Sequence, residues 1–383
     1  MSQKRRRNSG EVEKLPGAGE LPGALPGARW ARVYQAVRGD ILAGRAAPGE
    51  QLPTFAAMEQ RFGVSRGVLR LAVAQLKKDG FLRAVDRQGL FVTNHPPHCC
   101  RYGLLLPDRP GDAFYSRFWV ALTQEAACIS HDDSGVRFEV YHGVRPETDN
   151  DEIRRLREDV AHHRLAGLIH AYGAAELAGE PPFDRADLAH SFLTPSEPAH
   201  RPQISRDYRD YLDKALTWFA QRGRKRLAVV MTEPDVLDTD AVLRRKDRGK
   251  DRSRDIEVRP QWIQKLHPHS SRAAIRGLIP LLLDYPKRQR PDALLICDDN
   301  IVEDALAGVL HAGLEVGRDI DVVAHCNWPW PAPMVLPVQR LGYHARQVLA
   351  FAVEQIQQQN AGRKPHDRVL TPMFENEAQA FTQ

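Results

Sequence analysis

Cysteine is scarce: five residues in a chain of 383 give no disulfide framework, so a reducing cytoplasm is expected. Nothing approaches the roughly eighteen uninterrupted apolar residues of a membrane helix, and no membrane partner is expected. The least charged long run, His325 to Gln339, is broken by Pro329, Pro331, Pro333 and Pro337. Met1 to Arg7 is basic but leads into Leu-Pro-Gly-Ala repeats, not the apolar core of a secretion signal. A glycine-rich phosphate loop and a G-x-S-x-G elbow are both missing. His95, His98, Cys99 and Cys100 lack the second, well-spaced ligand pair of a structural zinc site. No catalytic residue, cofactor or metal is therefore expected. What is present, at 42% hydrophobic and 27% charged, can bury a core, and the length suggests two or three domains.

Positive charge is unevenly spread. Between Arg29 and Asn94 eleven Arg and Lys stand against five Asp and Glu, and residues 1–28 carry five against three. With a total of +5, everything after Asn94 is net acidic by three. The small amino-terminal unit is where a polyanion would bind. Residues 1–28, containing LPGAGELPGALPGA, offer turn residues and almost nothing to bury, and read as a disordered leader.

Residues 29–95 carry the punctuation of a winged helix-turn-helix. Tyr34, Val37 and Ile41 mark a first helix, stopped by Gly44 and Pro48. Thr54 caps a second, with Phe55, Met58 and Phe62 inward and Gly63 as the left-handed stop. Ser65 caps a third, on which Leu69, Ala72, Val73 and Leu76 face the core. Arg66 and Arg70 fall on the opposite side, with Gly67 between them. Phe81–Ala84 and Leu90–Thr93 form a hairpin whose tip, Asp86-Arg87-Gln88-Gly89, is placed to approach a minor groove. A helix N-terminus attracts phosphate, and Ser65, Arg66 and Arg70 can reach phosphate or guanine edges. The same geometry also serves protein-protein modules; the basic face favours DNA.

Over residues 34–92 these anchors resemble the GntR family of bacterial transcription regulators. The resemblance implies DNA contacts at Thr54 and Ala56, at Ser65, Arg66, Gly67, Val68 and Arg70, and at Gly89 in the wing. The family commonly has Arg where this chain has Ala56 and a polar residue where it has Gly67, so its usual operator preference does not carry over.

His95-Pro96-Pro97-His98 reads as a stiff, extended connector and residues 96–100 as a linker. From 101 to 383, β-type runs at Tyr102–Leu106, Val136–Tyr141, Ala166–His170, Leu227–Met231, Ala293–Cys297 and Ile320–Ala324 alternate with helical patterns near 116–130, 150–163, 208–222, 271–284, 300–313 and 342–358. That alternation predicts two α/β lobes with parallel sheets covered on both faces. The charged segment 238–259 is read as a solvated loop or exposed helix, with a second nucleic-acid contact as the alternative.

Tyr102-Gly103-Leu104-Leu105-Leu106-Pro107 followed by Phe114-Tyr115-Ser116-Arg117-Phe118 resembles the start of the periplasmic-binding-protein-type effector domain of the LacI family. Asp207 with 221–230, Arg290 to Asp299, and Gly313 to Val323 resemble its later turns and strands. A GntR reader joined to such a sensor is similar to the arabinose-type GntR/LacI chimeric repressors. Ligands of α/β lobes bind at the carboxyl ends of strands, where Tyr115, Arg117, Asp207, Asp299, Asn327 and Trp328 lie. Carboxylates and Asn suit vicinal hydroxyls, and Tyr and Trp offer a stacking face, so a sugar-like effector is expected. Asp299 as a helix cap, and Trp328 and Trp330 as loop packing, are the structural alternatives. Cys326 stands where the family often has an aspartate.

The sequence therefore predicts an α/β protein: a winged helix-turn-helix followed by a two-lobed, periplasmic-binding-protein-like sensor. Its expected work is ligand-controlled repression as a homodimer on double-stranded operator DNA. A rival is a GntR-type reader fused to a pyridoxal-phosphate aminotransferase-like enzyme. That needs a Schiff-base lysine, and Lys214, Lys225, Lys246, Lys250, Lys265, Lys287 and Lys364 sit mostly in charged loops. A third reading is an orphan DNA binder without ligand.

Overall fold

The computed structural model describes residues 26–382 apart from 114, 133, 147–148, 173, 194–200, 233–255, 268–269 and 271. It divides between Asn94 and His95 into two compact units. Most of the proposed leader and of segment 238–259 lies outside the described residues.

In the first unit α1 (Pro26–Leu42), α2 (Phe55–Phe62) and α3 (Arg66–Lys78) precede an antiparallel hairpin of β1 (Leu82–Val85) and β2 (Gly89–Val92). Helix α1 starts inside the segment read as leader, because proline is tolerated in a first turn, where its absent N–H would have had no partner. Val33, Tyr34, Val37 and Ile41 pack on Met58, Leu69, Ala72 and Leu76, closed by Phe81, Leu82 and Val92. Gly63 ends α2 at φ 62°, as its position predicts, with its N–H donating to the Glu59 carbonyl.

The second unit opens with a correction. Pro97 does not extend the chain but begins a single helical turn, α4 (Pro97–Cys100), with Pro96 extended before it. Consecutive prolines exclude a helix interior but not its first position. The first lobe follows: β3 (Arg101–Leu106), α5 (Arg117–His131), β4 (Arg137–His142), α6 (Asp151–Ala161), β5 (Gly167–His170) and β6 (His190–Phe192). Its sheet is parallel, in the order β4-β3-β5-β6.

The second lobe contains β7 (Ile204–Arg206), α7 (Tyr208–Gln221), β8 (Arg226–Thr232), β9 (Glu257–Leu266), α8 (Arg272–Leu283), β10 (Ala293–Ile296), α9 (Val302–His311), β11 (Asp321–Trp328) and β12 (Gln339–His344). After it come α10 (Ala345–Asn360), β13 (Arg368–Leu370), β14 (Met373–Phe374) and α11 (Glu375–Thr382). The larger sheet runs β14-β12-β11-β10-β8-β9, parallel except for β14. Helix α10 returns to pack on α5 and β6 of the first lobe, while β13 pairs with β7. The lobes are thus joined by chain crossings at β6–β7, β12–α10 and β13–β14.

All six runs read as strands are strands, and the six helical patterns are helices. Strands β6, β7, β13 and β14, two or three residues long, were not foreseen, and neither was β12, whose last three residues fall inside the helical pattern read near 342–358. Strand β9 was hidden by Pro260, which sits at the register shift opposite Leu227 and Val229, on the sheet edge. It also makes strand of residues 257–259, the end of the segment read as solvated.

Two packing details generate tests. Gly342 lies opposite Cys326, and a Cβ there would stand 1.7 Å from the Cys326 carbonyl oxygen. Gly342→Ala is expected to remove more than about 4 kcal/mol, read as loss of soluble protein or a collapsed thermal midpoint. Gly277→Ala in α8, where a Cβ meets open space, should leave stability equal or higher by up to about 1 kcal/mol.

At the edge of the first sheet, His170 Nε2 lies 2.9 Å from His190 Nδ1 and its Nδ1 lies 3.0 Å from the Ala174 carbonyl. Burial, aided by Arg201, pushes His190 down to about 4 and His170 well below its ordinary value. The unfolded chain binds protons near pH 6.5 that the folded lobe excludes, so stability falls as pH drops from about 6.5 toward 4. His190→Gln should flatten that slope in denaturation curves taken across the interval.

Candidate nucleic-acid interface and ligand cleft

Helix α3 is set in place from behind. Tyr34 of α1 donates its hydroxyl to Asp79 Oδ2 at 2.6 Å, and Gln75 Nε2 donates to Oδ1 at 3.0 Å, with Asp79 only 3% exposed. Burial, then Asp79, push the Tyr34 hydroxyl up to about 12. This network fixes the carboxyl end of α3 against α1, leaving its amino end outward.

The cations of the unit divide into used and unused. Asp40 pairs with Arg45 and Arg61, at 2.8 and 2.7 Å. The Arg38 guanidinium lies over Tyr34, Arg83 over Phe91 and Arg66 over Phe55. Arg70, Lys77, Lys78 and Arg87 make no ion pair among the described residues, and all four are exposed. Thr54 accepts from the Ala57 amide at 3.3 Å and so caps α2. Ser65 occupies the cap position of α3, but its hydroxyl makes no capping bond, which corrects its expected role. The amides of that first turn and the Ser65 hydroxyl are therefore presented outward together. Gly67 is exposed and Val68 half-buried.

The wing tip is locked. Gln51 Nε2 donates to the Gln88 carbonyl at 2.5 Å, and Leu52 N–H to the Leu90 carbonyl at 2.8 Å. Arg87 takes φ 60° and Gly89 φ 115°, so the turn holds the Arg87 side chain outward. Gln51 is a positioning residue that the sequence did not flag.

In the second unit the carboxyl ends of the strands gather a different chemistry. Asp299 and Asn327, from the ends of β10 and β11, meet at 2.6 Å, Asn327 Nδ2 donating to Asp299 Oδ2. The alternative for Asp299, a helix cap, does not hold: the cap position of α9 is Ile301. Beside this pair are groups missed in the sequence. Arg206 ends β7, its guanidinium 4.4 Å from the Phe118 ring centre and 5.7 Å from that of Tyr343, and it donates to the Tyr208 hydroxyl at 3.2 Å. The rings of Tyr211 and Tyr343 lie 6.0 and 5.9 Å from His325. Tyr211 Oη, His325 Nδ1 and Asn327 Oδ1 have no protein hydrogen-bond partner, although these residues are 1%, 7% and 2% exposed. A buried polar atom left so costs about 1–3 kcal/mol.

The remaining expected residues are placed elsewhere or otherwise engaged. Asp207 caps α7, accepting from the Asp210 amide at 2.8 Å. Arg117 reaches Glu303 at 2.9 Å, and its amide donates to Asn300 Oδ1 at 2.9 Å, so it joins the two lobes at the cleft. Tyr115 packs half-buried on the first lobe's core, its ring 6.2 Å from His142. Trp328 is a correction. It is buried with Cys326, Met373 and Ala378, and its indole N–H donates to the Met373 carbonyl at 2.9 Å. Alternation along β11 turns it to the face opposite Asn327. Trp330 donates to Glu125, which also accepts from Arg346 at 2.6 Å, tying α5 to the loop after β11. All five cysteines are free, and no helix among the described residues is long and apolar enough to cross a membrane.

Residues 30–92 match the bacterial regulatory proteins of the gntR family, and residues 216–374 match a periplasmic binding protein-like domain. The chain joins a GntR-type DNA reader to a periplasmic-binding-protein-like body. A LacI-family transcriptional regulator from Arthrobacter sp. FB24, solved in complex with lactose, is similar at TM-score 0.55 and 16% identity, over 72% of this chain and 97% of that one. A regulatory protein of the LacI family from Chloroflexus aggregans is similar at TM-score 0.51 and 15% identity, over 72% and 96%. No curated protein sequence matches the chain. The periplasmic-binding-protein-like match occupies much of the region that an aminotransferase-like enzyme would need. Lys214, for its part, is held by the Pro372 carbonyl and Glu377.

Tyr34→Phe should weaken the first unit by about 1–3 kcal/mol, read as faster amide exchange in α1 and α3, by withdrawing a donor from buried Asp79.

Proposed function

We propose that this regulator binds a pseudo-palindromic operator as a homodimer and releases or holds it according to a polyhydroxylated small molecule, such as a sugar, bound between the lobes of residues 101–383. The carrying observation is the conjunction, in one GntR-type chain, of unpaired cations on α3 with buried, unpartnered polar atoms at the strand ends of a periplasmic-binding-protein-like fold. A hydroxyl-bearing ligand offers the donors and acceptors that Tyr211, His325 and Asn327 lack. The lactose held by the Arthrobacter protein is a chemistry to try first.

On the DNA side, Arg70 near the amino end of α3 and Arg87 in the wing are uncommitted cations, with Thr54, Ser65, Arg66, Gly67, Val68, Gln88 and Gly89 lining the same approach. Two copies of α3 about 34–36 Å apart would enter successive major grooves. The ligand changes operator affinity only by its preference for one state of the dimer, about 1–3 kcal/mol. Contacts such as Arg117–Glu303 and Arg117–Asn300, which join the lobes, are where that preference would be expressed. The expected cellular place is the cytoplasm.

Selection of bound sequences from random duplex DNA, followed by calorimetry against a sugar and metabolite panel, tests both halves. Arg70→Ala should weaken specific binding by about 1–3 kcal/mol with the fold intact. Arg66→Ala should do the same and also loosen α2 through Phe55. Failure to enrich any duplex refutes the DNA half, and silence across a broad panel favours an orphan reader. Asn327→Ala should cut the affinity of any ligand found by tenfold or more, on the order of 1.4 kcal/mol.

A further inference from the structure

Gly67 has no reason within the protein to be glycine. It lies in the first turn of α3 with helical backbone, and a Cβ built there meets nothing nearer than Ser65 Oγ at 3.9 Å. Glycine is among the poorest residues for a helix, so its use there points outward, to a close approach by another molecule. The exposed strip continues with Leu71 and Ala74, four and seven residues on, and Leu71 is 58% exposed. Arg70 and Lys77 edge this strip, Lys78 ends it, and none of the three makes an ion pair among the described residues. Side chains on a helix lean toward its N-terminus, so Arg70 and Leu71 both lean over the gap left at Gly67. A large apolar side chain framed by unpaired cations matches one chemical surface well. The major groove of duplex DNA sets the apolar 5-methyl of thymine among phosphates and polar base edges.

We propose that Leu71 reads the 5-methyl group of a thymine beside the base edge contacted by Arg70, and that Gly67 lets α3 come close enough for both to reach. The inference rests on the DNA-binding reading above and adds a base preference to it. The polar positions from which the GntR family reads its operators are here partly glycine and alanine, and an apolar contact replaces a hydrogen bond.

The test uses the full chain and the duplex it selects from random DNA. Each thymine of that duplex is replaced singly by deoxyuridine, which removes the methyl and leaves every hydrogen-bonding group. At one thymine per half-site the loss should be about three- to fivefold for the wild-type chain and absent for Leu71→Ala. Gly67→Ala should raise or preserve the thermal midpoint while weakening operator binding by tenfold or more. If no deoxyuridine position matters, or the same loss persists in Leu71→Ala, the thymine assignment is wrong. Undiminished binding by Gly67→Ala overturns the close approach. A chain that enriches no duplex overturns the DNA-binding reading and this inference with it; enrichment without a methyl effect overturns the inference alone.

Discussion

All eight residues of β11 are buried, and the second unit is organised around satisfying that strand. Its backbone is paired on both sides, by β10 and β12, and Gly342 lets β12 come close enough to do it. Its side chains must then find partners above and below. Val322 and Ala324 pack into the core with α8 and α9, while Val323 joins the core on the other face with α7. A parallel strand covered on both faces is expected to be apolar throughout. Here it is not, and where its polar residues fall divides the sheet into two chemically different ends.

At the amino ends the polar groups are answered by protein. Asp321, 2% exposed, accepts from Arg222 and Arg224 at 2.7 Å each. Burial works to raise its carboxyl, but the two guanidiniums outweigh that and hold it below its usual range. Asp292 likewise accepts from the amides of Lys225 and Arg226 and from the Arg226 guanidinium. At the carboxyl ends the answer is incomplete: Tyr211, His325 and Asn327 each keep a buried atom without a hydrogen bond, His325 Nδ1 standing 3.8 Å from Asp299 Oδ1. One end of the sheet is sealed by ion pairs, and the other keeps polar atoms whose hydrogen bonds are unmade. That asymmetry gives the cleft its direction.

The first unit shows the same economy at smaller scale. Asp40 and Asp79 hold the helices in register, using Arg45, Arg61, Tyr34 and Gln75 to do so. Among the cations left without an ion pair, Arg70, Lys77 and Lys78 lie on α3 and Arg87 in the wing, and Arg29 and Arg32 lie on α1. Gln51 contributes nothing to charge, yet by holding the Gln88 carbonyl it presents Arg87. Scaffold and reading surface are therefore built from the same residue types, distinguished only by which ones have partners.

Much of this was legible in sequence because it is local. Helical spacing at Leu69, Ala72, Val73 and Leu76 determined which side of α3 is buried, and hence that Arg70 is free. Apolar runs such as Leu227–Met231 determined the central strands, and a glycine at 63 determined where α2 stops. What tertiary structure alone decided concerns neighbours distant in the chain or adjacent across a pleat. Arg206, Tyr211, His325 and Tyr343 come from four elements, and no spacing relates them. Asn327 and Trp328 are consecutive and were read as one set, the following prolines suggesting a loop. Once β11 extends through both, its pleat sends one toward Asp299 and the other toward Met373 and Ala378. Periodicity along a single element is written in the order of residues; which faces of different elements meet is set by packing the whole core at once.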